Sequence, residues 1–436
     1  MWKACMLKIG LIFSVMPKAT ATWPYTGFDY EARVSYLSNM IRESLPGVEF
    51  EEQIIKNPSE FKDNPSISAY AVVLVGIWNG VPARIAQTGK PTLLIDDLYG
   101  GSGEFLETLA WAGRERLKVA GVASSNPQDI KTALWALTAV SEVSRSKLLI
   151  VKYMEHEAFD KIRLVVKERI GAELILVKPE ELMVEYEKTN EPEAERLAER
   201  WITRALAVVE PQKAEIIKSA RMYIAMKRLV EKYSAQGITI DCLGLFYAGK
   251  LPAYPCLGFV ELLNQGIVGA CEADIDSALT QLLIQFATGR PGFISDPVID
   301  VGAKQIIYAH CLAPTKVYGG SGPEVPYKIR SHAEDRAGAA VQVYWPPGEP
   351  VTTVKLNLEE RAIAIHSGII CGNVEEEKAC RTKVASTAKV ESILDSWNRD
   401  AHFGWHRVSV VGDYRKLFKI VARLLGFKVI EEDVCC

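Results

Sequence analysis

The sequence of 436 residues lacks the features that assign a chain to several classes of protein. No apolar run reaches the roughly 20 residues of a membrane-spanning helix, so we predict no membrane partner. The formal net charge is only −3. Without a basic surplus we predict no nucleic-acid partner either. There is also no repeat at a fixed period and no low-complexity linker.

The cysteines follow no recognisable spacing. There are nine of them, scattered along the chain, with a terminal pair at Cys435 and Cys436 and without a CxxC or zinc-ribbon pattern. This usage is typical of a reducing compartment, so we expect a cytoplasmic protein. Residues 1–21 carry a faint signal-peptide pattern. Because Lys8 interrupts its apolar run, the interpretation that we favour is a first strand.

Phosphate-binding motifs are missing as well. The glycine-rich stretches 99–105 (YGGSGEF) and 318–324 (YGGSGPE) do not form GxGxxG in a strand–turn–helix frame, and neither contains a Walker lysine. A nucleotide site needs such a loop to hold the phosphates. The sequence therefore disfavours a nucleotide-dependent enzyme.

Buried strands alternate with helical patterns over the first two thirds of the chain. This alternation predicts parallel sheets covered by helices. From about Ala303 the pattern changes to short β-type runs broken by Gly and Pro turns, which predicts an antiparallel barrel or sandwich. We predict an α/β protein with two Rossmann-like parallel-sheet domains and an antiparallel β-barrel domain, at residues 1–145, 146–302 and 303–436.

The stretch from Gly266 to Asp300 carries the clearest chemical pattern. An apolar stripe at spacings of three and four predicts a helix that ends at Gly289: Ile275, Ala278, Leu279, Leu282, Leu283 and Phe286. Glu272 is expected near the top of this stripe. Asp296 is expected at the carboxyl end of a short strand, where open α/β sheets build their sites.

Buried carboxylates need partners, because an unpaired buried charge is costly. We interpret Glu272 and Asp296 as ligands of one metal ion. The alternative is that Glu272 is a helix-start acid favoured by the helix dipole, and that Asp296 is an Asp-Pro turn residue. Asp274 and Asp276 lie on the flanks of the predicted helix and are expected outside the ligand set.

A third ligand has to come from the six histidines. His406 alternates with Val408 and Val410 and so shares their inward face. His402 stands four residues earlier, but no HExxH motif accompanies it. His310 lies inside an apolar strand, where a histidine is more often part of the core than a ligand.

Substrate contacts are harder to predict. Trp23 and Trp78 follow predicted strands and could stack on a sugar or cap a core. Arg330 belongs to a dense charged turn, which either lines a polar site or is a solvated loop. His402 is a further candidate for substrate binding.

Several motifs resemble the L-fucose isomerase family and its L-arabinose isomerase relatives. They are GACEAD, ISDPVID, AHC, IRSHAEDRAGAAVQV and GWHRVSVVGD, within about residues 235–415. The resemblance implies two α/β domains followed by a β-barrel. It also implies a divalent ion, usually manganese, held by Glu272, Asp296 and His406. Relatives assemble as trimers or hexamers in which one subunit reaches the site of another, which implies a homotrimer or homohexamer here.

The resemblance implies an aldose–ketose isomerase, with the cation holding the O1 and O2 atoms of a small sugar through an enediolate. Glu272 and Asp296 would also transfer the proton. L-Fucose, L-arabinose and related pentoses or deoxyhexoses all fit, because the first domain offers no residues that match the family's substrate positions. Two alternatives stay open: an epimerase that uses the same metal site, and a non-catalytic sugar-binding or regulatory protein on the same scaffold.

Overall fold

The computed structural model describes residues 7–17, 23–397 and 402–434. Residues 1–6, the end of the signal-peptide pattern, and the terminal cysteines Cys435 and Cys436 therefore lie outside the described residues. The chain divides into two compact units. The first comprises Met1–Ser144 with Lys416–Val429, and the second Arg145–Arg415 with Ile430–Cys436.

The first unit is built on a parallel sheet. Its elements are β1 (Lys8–Ser14), α1 (Tyr30–Ser44), β2 (Glu49–Ile55), β3 (Ala69–Leu74), α2 (Val81–Ala86), β4 (Thr92–Asp96), α3 (Ser102–Arg114), β5 (Val119–Val122) and α4 (Pro127–Ser144). The five strands lie in the order β2-β1-β3-β4-β5 and all pair in parallel. The central strand β3 (AYAVVL) is buried at every position, as expected for a parallel sheet with both faces covered.

The second unit begins with another α/β layer. Its elements are β6 (Lys147–Val151), α5 (His156–Arg169), β7 (Glu173–Val177), α6 (Pro179–Glu187), α7 (Glu191–Arg204), α8 (Lys213–Tyr233), β8 (Gly237–Ile240), α9 (Cys242–Tyr247), α10 (Cys256–Asn264), β9 (Val268–Ala270) and α11 (Ile275–Thr288). The four strands form a parallel sheet in the order β7-β6-β8-β9.

A closed antiparallel barrel follows in the same unit. The remaining elements of the chain are β10 (Phe293–Asp300), β11 (Gln305–His310), β12 (Tyr327–Arg330), β13 (Ala340–Val343), β14 (Pro350–Asn357), β15 (Ala362–Asn373), β16 (Thr382–Thr387), α12 (Val390–Ser396), β17 (Arg407–Val411), α13 (Arg415–Leu425) and β18 (Lys428–Glu431). Of these, α13 from Lys416 onward and the first two residues of β18 belong to the first unit. The barrel order is β14-β17-β10-β11-β16-β15, and pairing of β14 with β15 closes it. β18 adds to β15, and β12 pairs with β13 separately.

The predicted fold class is thus confirmed: two parallel-sheet layers and an antiparallel barrel. One apolar core runs from the second parallel sheet into the barrel and includes Leu149, Leu263, Phe293 and Trp345. The boundary predicted at residue 302 between the second and third domains stays a prediction. None of the helices in the described part of the chain combines the length and the apolar character needed to cross a bilayer.

Candidate metal centre

Glu272 stands in a tight turn between β9 and α11. It and Ala273 both adopt left-handed backbone conformations, with φ of 61° and 53°. The Ala273 N–H donates to the carbonyl of Ile240 at 3.0 Å, which ties the turn to the end of β8. The expectation that Glu272 lies on the helix stripe is wrong, because α11 begins only at Ile275. A non-glycine residue in this region is strained, and such strain concentrates at functional sites.

Asp274 is the N-cap of α11, and its side chain makes four contacts, one of them a hydrogen bond accepted by Oδ2 from the Ser277 hydroxyl at 2.7 Å. It accepts a hydrogen bond from the Ser277 N–H at 2.9 Å. Its Oδ2 accepts from Lys355 Nζ at 2.7 Å and lies 2.9 Å from His406 Nδ1. The helix start is therefore bound to the barrel through one carboxylate.

Asp296 lies within a barrel strand, so the expectation that it ends a parallel strand is wrong. β10 pairs with β17 over Phe293–Ser295 and with β11 from Asp296 onward. Pro297, which lacks an N–H, follows the point where β10 leaves β17 and is paired with Tyr308 of β11. The β10–β17 register matches Ser295 with Arg407, and one further step sets Asp296 opposite His406.

His406 contacts three carboxylates with its two ring nitrogens. Its Nε2 lies 3.2 Å from Asp296 Oδ1 and 3.6 Å from Glu272 Oε2. Because Nδ1 faces the Asp274 carboxylate, we assign the proton of the neutral ring to Nδ1; in that neutral form the Nε2 lone pair is directed at the acids. Such a carboxylate–histidine pair is the usual support of a metal-binding imidazole.

The backbone of His406 is held by a buried ion pair. The Arg407 guanidinium donates to the His406 carbonyl at 3.0 Å and to Glu432 Oε1 at 2.7 Å. Glu432 Oε2 also lies 2.8 Å from His366 Nδ1. Since Arg407, Glu432 and His366 are almost fully buried, this network fixes the start of β17 from inside the barrel.

The structure adds His310, which the sequence pattern assigns to the core. Its Nε2 lies 3.7 Å from Glu272 Oε1 and has no hydrogen-bond partner among the described residues. Its Nδ1 accepts from the backbone N–H of Cys311 at 2.9 Å. In the neutral ring the proton is therefore on Nε2, directed at the acids. His310 Nε2 therefore presents a proton to the acids, whereas Nε2 of a neutral His406 presents a lone pair.

The charges of the cluster are reflected in its pKa values. Burial favours the neutral form of His406, but the hydrogen bonds and charges of Asp274 and Asp296 outweigh it and raise its pKa to about 9. Burial likewise opposes the charge of Asp274, yet His406 and Lys355 together lower its pKa. Burial lowers the pKa of His310. An imidazolium at His406 thus balances the acids when no cation does.

The donors fit a divalent cation. Ligand atoms of Asp296, His310 and His406 lie within 4.8 Å of one another, and so do those of Cys271, Glu272 and His310. Two carboxylates with one imidazole suit manganese and similar ions. The unpartnered Nε2 of His310 is a further sign that the site takes a ligand. His310 belongs to both groups, and the predicted acids Glu272 and Asp296 fall into different ones. The assignment of Glu272, Asp296 and His406 as the ligand set stays a prediction.

Two other predicted residues lie elsewhere in the second unit. Arg330 Nε donates to Glu210 at 2.7 Å and its Nη2 to Glu377 at 3.1 Å, so these contacts favour a structural role. His402 lines a cavity of about 710 Å³ together with Asp274, Asp276 and Lys355. The substrate-binding roles of Arg330 and His402 stay predictions.

Trp23 and Trp78 belong to the first unit. The Trp23 Nε1–H donates to the Gly100 carbonyl at 2.9 Å, so one edge of this ring is held. Trp78 has φ of 62° and a side chain that is 58% exposed. Tyr99, also left-handed, is 82% exposed after β4. Their exposure leaves these rings free for a ligand, and their predicted role stays open.

Comparisons with known proteins do not assign a family. No protein-family model matches the chain, and no curated protein matches it. Among solved structures, it is similar to the dinucleotide-forming acetyl-coenzyme A synthetase 1 of Ca. Korarchaeum cryptofilum in its apo form, at 11% identity and a TM-score of 0.21. The same synthetase with phosphate and ADP gives 11% identity and a TM-score of 0.23. Each match covers 64% of this chain and 65% of the synthetase, so the chain spans less than two thirds of these proteins.

Proposed function

We propose that the protein is a divalent-metal-dependent aldose–ketose isomerase acting on a small sugar such as L-fucose, L-arabinose or a related pentose or deoxyhexose. The observation that carries this proposal is the convergence of Glu272, Asp296 and His406, with His406 Nε2 within 3.6 Å of both acids. The resemblance of the surrounding motifs to the L-fucose isomerase family supports the same reaction.

The residues of the site would divide the work as follows. Glu272, Asp296 and His406 hold the cation, which supplies Lewis-acid polarisation of a sugar carbonyl when bound. Asp274 keeps the Nε2 lone pair of His406 directed at the cation. The Glu272 side chain is 36% exposed, against 15% for Asp296, so Glu272 is the carboxylate better placed to move a proton between C1 and C2 of the sugar.

His310 has a separate task in this scheme. Its Nε2–H is directed at the position between the acids and is positioned to donate to a sugar oxygen that gains negative charge. Its near-complete burial excludes water from that side, which strengthens the hydrogen bond. The proposal therefore gives each of four side chains a role in metal binding or proton transfer, and the reaction needs no nucleotide.

Manganese is the cation that we propose, together with a cytoplasmic location and a homotrimer or homohexamer with sites shared between subunits. The carboxylate-rich donor set suits manganese. The six cysteines within the described residues are all free thiols, which suits a reducing compartment. Light scattering on the purified protein tests the assembly.

A panel of aldoses and ketoses assayed in heavy water tests the reaction. With manganese present, one sugar should be converted and should take up deuterium at C1 or C2, and a chelator should stop both. Inversion at a stereocentre without aldose–ketose conversion would instead show an epimerase. A sugar that binds but is never converted would show a binding protein.

Ligand substitutions test the metal site independently of the sugar. Glu272→Gln and His406→Ala should each lose bound manganese after dialysis, as measured by elemental analysis. His402→Ala is the matched control, since His402 is a nearby histidine outside the ligand set. Unchanged occupancy in Glu272→Gln and His406→Ala would overturn the assignment.

A further inference from the structure

Four of the six described cysteines are buried and Cys380 is half-buried, and two pairs of thiols are in contact, Cys242 with Cys271 and Cys311 with Cys380. The free thiols are Cys242, Cys256, Cys271, Cys311 and Cys380, with Cys371 as the exposed one. Cys271 directly precedes Glu272, Cys311 directly follows His310, and the Cys380 thiol donates to Asp296 Oδ2 at 3.9 Å. The metal centre is thus lined with thiols that its proposed chemistry does not use.

Cys242 and Cys271 are held together by neighbouring parallel strands. Thr239 of β8 is in register with Ala270 of β9, and the Thr239 hydroxyl donates to the Ala270 carbonyl at 3.1 Å. Each cysteine follows the end of its strand, and their Sγ atoms lie 3.0 Å apart. A disulfide has an S–S distance of about 2.05 Å, so bond formation requires the sulfurs to approach by only about 1 Å.

We propose that Cys242 and Cys271 form a reversible disulfide that weakens metal binding at Glu272. The oxidant is a hydroperoxide. One thiol gives up its proton and attacks the peroxide, the O–O bond breaks, and the departing oxygen takes that proton, so that a sulfenic acid and a water or alcohol result; the other thiol then attacks the sulfenic sulfur and releases water. The two sulfurs together lose two electrons, and the peroxide accepts them.

Both thiols are buried, but Cys271 stands beside a partly exposed candidate ligand, Glu272. Cys242 is 1% exposed and Cys271 is 4% exposed, so large reagents are excluded. Cys271 Sγ lies within 4.8 Å of a Glu272 carboxylate oxygen, and the Glu272 side chain is 36% exposed. A small hydroperoxide that reaches Glu272 is therefore next to Cys271.

The coupling to the metal follows from the backbone. Glu272 and Ala273 are both left-handed, and the Ala273 N–H is fixed to the Ile240 carbonyl. This turn has little freedom to absorb a shift of Cys271 by about 1 Å. Metal ligands keep their distances within about 0.2 Å, so a displaced Glu272 carboxylate would bind the cation more weakly. This second step rests on the proposed function, whereas the disulfide itself does not.

Peptide mapping of the full chain tests the disulfide. The metal-free protein is treated with hydrogen peroxide, the remaining thiols are alkylated, and the digest is analysed by mass spectrometry with and without dithiothreitol. A peptide pair that links Cys242 to Cys271 and is released by dithiothreitol is expected. The disulfide proposal is refuted if Cys242 and Cys271 are both found alkylated in a sample whose Cys371 is oxidised. It is also refuted if the map shows a link between Cys311 and Cys380 instead.

Titration calorimetry with manganese tests the coupling. The oxidised protein should bind manganese about tenfold more weakly or worse, and dithiothreitol should restore the affinity. Cys242→Ala should keep its affinity after peroxide treatment, while the control Cys371→Ser should lose it as the unmodified protein does. A linked protein with unchanged manganese affinity would overturn the coupling.

The two proposals fail in different ways. If the reduced protein binds no divalent ion, the proposed function is wrong, yet the peptide map still decides the disulfide. Should Cys242→Ala unfold, as judged by circular dichroism, Cys242→Ser serves in its place because serine preserves a small polar side chain. The peptide map of the unsubstituted protein needs neither variant.

Discussion

Asp274 Oδ2 lies 2.9 Å from His406 Nδ1, across 132 residues of sequence. The same carboxylate caps α11 through the Ser277 N–H and accepts from Lys355 of β14. One side chain therefore orients a barrel histidine and begins the helix that follows Glu272. The geometry of the candidate metal centre depends on this carboxylate, although Asp274 is not itself a proposed ligand.

We expect Asp274→Asn to weaken manganese binding by about 10–100-fold. Asparagine is also a good N-cap, so α11 should keep its start. What is lost is the negative charge that fixes the His406 tautomer and balances Lys355. Calorimetric titration measures the effect, with Asp276→Asn from the same helix turn as control. Equal affinities for Asp274→Asn and the unsubstituted protein would contradict the role.

We expect His310→Ala to keep its manganese affinity within a few-fold but to lose turnover. The reason is that His310 Nδ1 accepts from the Cys311 N–H, which leaves a proton and not a lone pair on Nε2. Metal analysis and the sugar assay are run on the same sample. Loss of manganese along with turnover would show instead that His310 is a ligand.

We expect the barrel to lose stability as the pH falls from about 5 to about 2. Burial opposes the charge of Glu432, but Arg407 and His366 outweigh it and lower its pKa to about 2. An unfolded glutamate has a pKa of about 4.3, so the contribution is complete above that pH and is lost as the pH falls through the folded value. Its size is about 3 kcal/mol.

Urea unfolding of metal-free protein at several pH values checks this pH dependence. Glu432→Gln should be less stable by about 3 kcal/mol or more near neutral pH, since it leaves Arg407 buried without its partner. Its deficit should shrink toward pH 2. Glu431→Gln, whose side chain is 27% exposed, is the neighbouring control. A constant deficit at all pH values would contradict the assignment to Glu432.

We expect Trp78→Ala to raise the KM for the sugar by roughly 2–10-fold, the range of an aromatic contact of about 0.5–1.5 kcal/mol. Trp78 is 58% exposed, so its removal should leave the melting temperature almost unchanged. Trp135→Ala, at 40% exposure, controls for loss of a surface tryptophan. An unaltered KM in Trp78→Ala would remove Trp78 from the substrate contacts.

Local patterns made α11 predictable. Its apolar spacing predicts a helix that ends at Gly289, and the helix runs from Ile275 to Thr288 with Gly289 left-handed at φ of 68°. The parallel layers and the barrel were predictable for the same reason. Each helix or strand buries one face, and the spacing of apolar residues within a short segment shows whether that segment is a helix or a strand. Glu272 Oε2 and Asp296 Oδ1 each lie within 3.6 Å of His406 Nε2, and the role of these three residues as metal ligands stays a prediction.

The direction of each side chain was not predictable. Glu272 points away from the helix stripe because two consecutive non-glycine residues adopt positive φ, and no local preference indicates that. Asp296 faces His406 through the pairing of β10 with β17, which is a long-range register. His310 has the sequence environment of a core histidine, and only the neighbouring strands show that it faces Glu272.

Asp296 and His406 meet only if β10 and β17 pair in the observed register. If β17 slipped by a single residue, Arg407 would stand opposite Asp296, and the imidazole would turn to the other side of the barrel wall. An insertion within β17 would therefore abolish the site even if every candidate ligand were retained. Insertions ahead of His402, outside the strand, would leave this alignment intact. The chain can thus vary in length before the strand but not inside it.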